Sequence, residues 1–86
     1  MKIKDKYILK KIAGKNIVIP VEEEAVNFNG IITLNETSVF LFEKLKNETS
    51  LDELVSAMVN RYDVEEIVAR KDINEFIQIL SKKGLI

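Results

Sequence analysis

The chain has 86 residues, of which 47% are hydrophobic and 31% charged, so one small folded domain is expected rather than a disordered or membrane-spanning chain. Cysteine and histidine are both absent, which excludes disulfides, histidine-based catalysis and His/Cys zinc sites. The net charge is only -1, which argues against strong nucleic-acid binding, although residues 1–19 carry six lysines against one aspartate. Residues 1–6 precede no apolar block of the signal-peptide type, and we expect a cytoplasmic protein.

The first part of the chain predicts three β-strands. Residues 7–12 and 16–20 are rich in β-branched residues, and the turn signal that begins at Ala13-Gly14 predicts a hairpin between them. Pro20 suggests a strand end or a sheet edge. A third strand is predicted over residues 26–34. Asn29-Gly30 inside it is either a tight turn or a bulge, and the sequence leaves both open.

From Asn35 onward the apolar spacing becomes helical, and three helices are predicted over residues 35–46, 51–62 and 64–83. Asn35 is a suitable N-cap for the first helix. Ser50 followed by Glu53 forms a capping box at the start of the second helix.

The third helix has its own predicted boundaries. Asp63 is expected as its N-cap, with Glu66 completing a second capping box. Gly84 is placed to end it, and Leu85 should fold back onto the core.

Three strands followed by three helices predict an α+β fold of winged helix-turn-helix type, in which the helices cover one face of an antiparallel sheet. Catalysis is not expected, because the serines and threonines have no histidine to activate them. A winged-helix DNA-binding regulator is the main rival function. Its recognition helix would be the last one, where Arg70 and Lys71 stand among four acidic residues that repel phosphate.

The third strand indicates peptide binding instead. Residues 25–35 carry no charge, which is unusual for a sheet edge, since edges are commonly protected by charged residues. Such an edge can accept an extended peptide as an added strand. Open-edged small sheets can also pair with one another, so a homodimer is a further possibility.

Several strings resemble those of PqqD-type proteins, the leader-peptide-binding domains known as RiPP recognition elements. The most specific string is Leu34-Asn35-Glu36-Thr37, at the junction of strand and helix. The other matching strings are Leu41-Phe42, Ser50-Leu51-Asp52-Glu53-Leu54-Val55, Tyr62-Asp63-Val64, Asp72-Ile73-Asn74-Glu75-Phe76-Ile77 and Lys83-Gly84-Leu85-Ile86. Ser38 and Phe42 depart mildly from the family, which often has glycine and tryptophan there.

The resemblance implies a winged-helix-like domain over residues 1–86 without catalysis, metal or cofactor. It implies binding of the leader segment of a ribosomally made precursor peptide, and its presentation to a modifying enzyme such as a radical SAM enzyme or a peptidase/cyclase. Neither nucleic acid nor membrane is an expected partner.

Carried over to this chain, the leader adds beside the third strand and packs against the third helix. The implied peptide-binding residues are Val26, Asn27, Phe28, Asn29, Ile31, Ile32 and Thr33 on the strand, and Ile67, Arg70, Lys71, Asn74 and Ile77 on the helix. The opposite flank of that helix carries Val68, Asp72 and Ile79. The first flank is preferred because Arg70 and Lys71 attract the acidic residues common in leader peptides.

Overall fold

A computed structural model describes residues 1–21 and 32–86. The elements in chain order are β1 (Tyr7–Ile12), β2 (Lys15–Pro20), β3 (Ile32–Leu34), α1 (Glu36–Lys44), α2 (Leu51–Arg61) and α3 (Glu66–Lys82). The predicted order of three strands and then three helices is confirmed. Residues 26–31 of the predicted third strand, with the Asn29-Gly30 turn or bulge, lie outside the described residues.

The strands form one antiparallel sheet in the order β1-β2-β3. Ala13 and Gly14 connect β1 to β2, with positive φ angles of 52° and 79°. Two successive residues of positive φ match a type I′ turn, whose twist suits a hairpin. The predicted hairpin is therefore confirmed. Ala13 adopts a positive φ that glycine or asparagine would adopt at a lower energetic cost.

One face of the sheet packs against the helices. Side chains alternate along each strand, and Tyr7, Val18, Ile32 and Leu34 point into the core. They belong to a single hydrophobic cluster, whose other buried members are Ile3, Leu41, Phe42, Leu45, Leu54, Val55, Met58, Ala69, Ile73, Phe76, Leu80 and Leu85. The helices thus lie on one side of the sheet, as predicted.

Local capping fixes where α1 and α2 begin. The Asn35 side chain accepts a hydrogen bond from the Ser38 amide at 2.8 Å, and Ser50 Oγ accepts one from the Glu53 amide at 3.2 Å. Both predicted N-caps are therefore confirmed, and each satisfies an amide that has no partner within its helix.

The predicted start of the third helix is wrong. We expected Asp63 as N-cap, whereas α3 begins at Glu66 with Glu65 in the cap position and no side-chain cap hydrogen bond. Val64 lies half-buried against the core, and its amide bonds to the Tyr62 carbonyl at 2.9 Å. Val64 packs against the core in this connection, so tertiary contacts compete here with the local capping signal at Asp63.

The end of α3 follows the sequence prediction. Gly84 has a φ of +81°, and its amide bonds to the Ser81 carbonyl at 3.1 Å. The Leu85 amide bonds to the Leu80 carbonyl at 2.9 Å, which completes a Schellman motif. Leu85 is fully buried, as predicted.

The first four residues bond to the end of α1 and to the C-terminal residues, which the sequence did not suggest. The Ile3 amide bonds to the Leu45 carbonyl at 2.8 Å, and the Lys4 amide bonds to the Leu85 carbonyl at 2.9 Å.

No helix in the described ranges is long and apolar enough to cross a membrane.

Candidate functional site

One hydrogen bond next to the β1–β2 ladder shows which backbone groups of each strand face which neighbouring strand. The Val21 amide donates to the Lys6 carbonyl at 2.8 Å. In an antiparallel ladder, bonded and non-bonded pairs alternate, so the next pair, Tyr7 with Pro20, is a non-bonded one. This suits Pro20, which has no amide proton to donate.

Continuing the alternation along β2 fixes which backbone groups face β3. The amides and carbonyls of Asn16 and Val18 point toward β3, where they meet Leu34 and Ile32. Thr33 lies opposite Ile17 in a non-bonded pair. Its backbone N–H and C=O therefore point away from β2, toward the outer edge of the sheet.

That outer edge is open within the described part of the chain. No strand among residues 1–21 and 32–86 pairs with β3 on its far side, and Thr33 itself is exposed. A backbone donor and a backbone acceptor on an unpaired edge are what an added strand requires.

A groove lies where β3 ends and α1 begins, and α3 forms its opposite wall. Its volume is about 350 Å³. Asn35, Thr37 and Ser38 line it from the α1 side, and Asp72, Glu75, Phe76 and Ile79 line it from α3, with Leu41 and Met58 completing the lining.

The groove combines an apolar floor with an acidic wall. Leu41, Met58 and Phe76 are buried, whereas 47% of Ile79 is exposed. The Asp72 and Glu75 side chains make no ion pair or hydrogen bond with any residue that the structure describes. A ligand in the groove would therefore meet two carboxylates that have no partner among the described residues.

The helical residues implied by the resemblance lie on the other flank of α3. Arg70 Nη1 donates to Asp52 Oδ1 at 3.0 Å and Nη2 donates to Glu66 Oε1 at 3.1 Å. These hydrogen bonds raise the pKa of Arg70 above its ordinary value. The guanidinium thus connects α3 to the first turn of α2, and it does not line the groove next to β3.

The remaining implied residues of α3 are placed as follows. Ile77 lies half-buried against the core, Lys71 and Asn74 are exposed, and Ile67 is 75% exposed. None of them lines the groove beside β3. On the strand, Ile32 points into the core and Thr33 is at the open edge, while Val26, Asn27, Phe28, Asn29 and Ile31 lie outside the described residues.

The groove also contains residues that sequence reasoning missed. The sequence pattern alone assigns no peptide-binding role to Thr37, Met58, Glu75 or Phe76. A helical wheel separates the flank with Asp72 and Ile79 from the flank with Arg70. It does not indicate which flank faces β3, because that depends on how α3 packs.

A known protein family matches most of the chain. The family model described as "Coenzyme PQQ synthesis protein D (PqqD)" matches residues 10–86. The chain therefore belongs to the PqqD family, which confirms the resemblance seen in its sequence.

A solved structure entitled "TbiB1 in Complex with the TbiA(beta) Leader Peptide" has a similar fold. The TM-score is 0.77 at 20% sequence identity, and the match covers 99% of this chain and 93% of the other. No curated protein matches the sequence significantly. The structural match supports the predicted α+β, winged-helix-like fold.

Proposed function

We propose that this chain binds the leader segment of a ribosomally made precursor peptide as an additional strand along β3, as part of the biosynthesis of a modified peptide. The outward N–H and C=O of Thr33 carry the proposal, because they provide a donor and an acceptor on an unpaired edge. Membership of the PqqD family supports it, as does the leader peptide bound by the TbiB1 structure of similar fold.

The bound segment continues past the end of β3 into the groove. Main-chain hydrogen bonds to Thr33 set its register, and its side chains alternate between the groove and solvent. The apolar floor then receives every second side chain. On this proposal the wall of the site comes from Asp72, Phe76 and Ile79 rather than from the flank that carries Arg70.

The strand residues Val26, Asn27, Phe28, Asn29 and Ile31 stay proposed contacts. They immediately precede β3 in the sequence. A peptide that pairs with Thr33 over several residues would extend toward them or toward the groove, according to its length.

The proposed role involves binding without catalysis. The chain presents its peptide to a separate modifying enzyme, such as a radical SAM enzyme or a peptidase/cyclase, in the cytoplasm where precursors are synthesised. Duplex DNA is a poorer ligand for α3, because Asp72 and Glu75 would face phosphates. Homodimer formation through β3 would use the same backbone groups and would compete with the peptide.

Binding can be measured with fluorescein-labelled peptides that span the N-terminal segment of each short reading frame flanking the gene. We expect one of them to bind saturably at a single site with micromolar affinity. No saturable binding to any of these peptides would contradict the proposed function.

Amide hydrogen exchange then locates the bound strand. We expect the Thr33 amide to exchange rapidly in the free protein and at least about tenfold more slowly with peptide, because a carbonyl of the added strand accepts a hydrogen bond from it. The Leu34 amide is the internal control, since it already faces β2. Saturable binding without protection of Thr33 would refute addition along this edge.

A further inference from the structure

Asp72 and Glu75 have no ion-pair partner among the described residues, and this bears on the chemistry of a peptide that enters the groove. This inference rests on the proposed function, since it concerns the occupant of the same groove. We infer that the bound segment carries a lysine or arginine whose cationic group meets Asp72 and Glu75 and whose aliphatic stem lies on the apolar floor.

The two acids lie close together along α3. Asp72 and Glu75 are three residues apart, so they are neighbours on one helix face. Like charges at this spacing repel each other, and neither acid forms an ion pair with a residue in the described ranges. Arg70 is held on the other flank by Asp52 and Glu66. A cation brought by the ligand would relieve this repulsion.

The acids lie beside the apolar floor of the groove. Phe76 and Met58 form part of the floor, and Ile79 is half-exposed at its rim. A purely electrostatic site would not need such a floor. Long basic side chains bury their methylene groups along apolar surface and keep the charged end in water, which matches this combination of floor and acidic wall.

The geometry of an added strand determines the spacing of the peptide residues that enter the groove. Successive side chains of an extended peptide point to opposite faces. One basic residue at the groove therefore comes with apolar residues two positions away, on the same side. We expect a motif of alternating apolar positions with a single lysine or arginine at a fixed place among them.

The test starts from a displayed library of random 12-residue peptides, selected on the immobilised protein. The selected peptides should share a lysine or arginine at a fixed distance from their apolar positions. Synthetic labelled versions are then titrated into the wild type and into the double variant Asp72→Asn/Glu75→Gln. Exposed ion pairs contribute modestly, so we expect binding to weaken about 2- to 10-fold at low salt and less at 0.5 M salt.

Glu66→Gln is the matched control, because it removes one acid from the same helix on the flank away from the groove. It should leave peptide affinity unchanged. Thermal unfolding of all variants checks that they fold. A reciprocal change of the peptide's basic residue to glutamine should lower affinity for the wild type but not for the double variant.

The outcomes separate the two proposals. Selected peptides that lose affinity for Thr33→Pro but show no basic position, or that bind the double variant as tightly as the wild type, would overturn this inference alone. Recovery of no binding peptide, or of peptides that bind Thr33→Pro unchanged, would overturn strand addition and this inference with it.

Discussion

Replacing Thr33 by proline tests the open edge directly. Proline lacks the amide proton and places its ring carbons where a neighbouring strand would approach. In this fold the Thr33 amide points away from β2, and the bonds to β2 come from Ile32 and Leu34. Thr33→Pro should therefore remove a bond to the peptide without removing one from the sheet.

The size of the effect follows from that single bond. A neutral hydrogen bond contributes about 0.5–1.5 kcal/mol net, so the dissociation constant should rise roughly 2- to 13-fold, and more where the ring obstructs the peptide. The free energy of unfolding should change by less than about 1 kcal/mol, because edge positions with an outward amide tolerate proline.

Fluorescence anisotropy titration with a labelled peptide and urea unfolding measure the two quantities. Thr33→Val is the control, since it keeps both the amide proton and the shape of the side chain, and its affinity should stay within about twofold of the wild type. Unchanged affinity in Thr33→Pro would refute addition at this edge. A loss of about 3 kcal/mol of stability, as for a proline in a helix interior, would show that the Thr33 amide donates a hydrogen bond within the sheet.

Three further variants test the fold. Ala13→Asn should raise the free energy of unfolding by about 0.5–1 kcal/mol in urea titration, because the Ala13 φ of 52° suits asparagine in a type I′ turn; no gain would contradict that turn. Gly84→Ala should cost about 1–2 kcal/mol, since its φ of +81° strains any residue with a Cβ, even though the added Cβ meets nothing within 4 Å. Glu48→Gln tests pH dependence. The α-amino group of Met1 lowers the pKa of Glu48, so the pair contributes to stability at neutral pH, by a small amount because Glu48 is exposed. This contribution is lost as the pH falls from the ordinary glutamate value of about 4.3 through the lowered pKa. The difference in stability between pH 7 and pH 3 should therefore be smaller in the variant, and an equal difference would contradict the contribution.

The sequence by itself determined most of the local structure. Asn35, Ser50 and Gly84 specify helix ends through bonds that span only three to five residues, and all three act as predicted. Short-range signals of this kind need no knowledge of the rest of the chain. The same holds for the hairpin, where Ala13-Gly14 supplies the turn.

The start of α3 shows where local signals fail. Asp63 and Glu66 have the spacing of a capping box, yet the helix begins later, and Val64 before it packs against the core. Full burial of an apolar side chain is worth about 1.5–3 kcal/mol, so the partial burial of Val64 contributes roughly half of that, which is similar to the typical contribution of an N-cap, about 1 kcal/mol. Tertiary packing of one neighbouring side chain can therefore offset a local capping signal.

Tertiary structure alone decided which side of α3 faces the end of β3. Helical periodicity defines an apolar face with two flanks, one with Arg70 and one with Asp72, but not the surroundings of either flank. The preference for the Arg70 flank came from charge and not from helix geometry. Packing against α2 pairs Arg70 with Asp52 and turns Asp72 toward Asn35 and the groove. Residues that are far apart in sequence meet only through such packing, so no pattern within one helix can reveal the composition of the site.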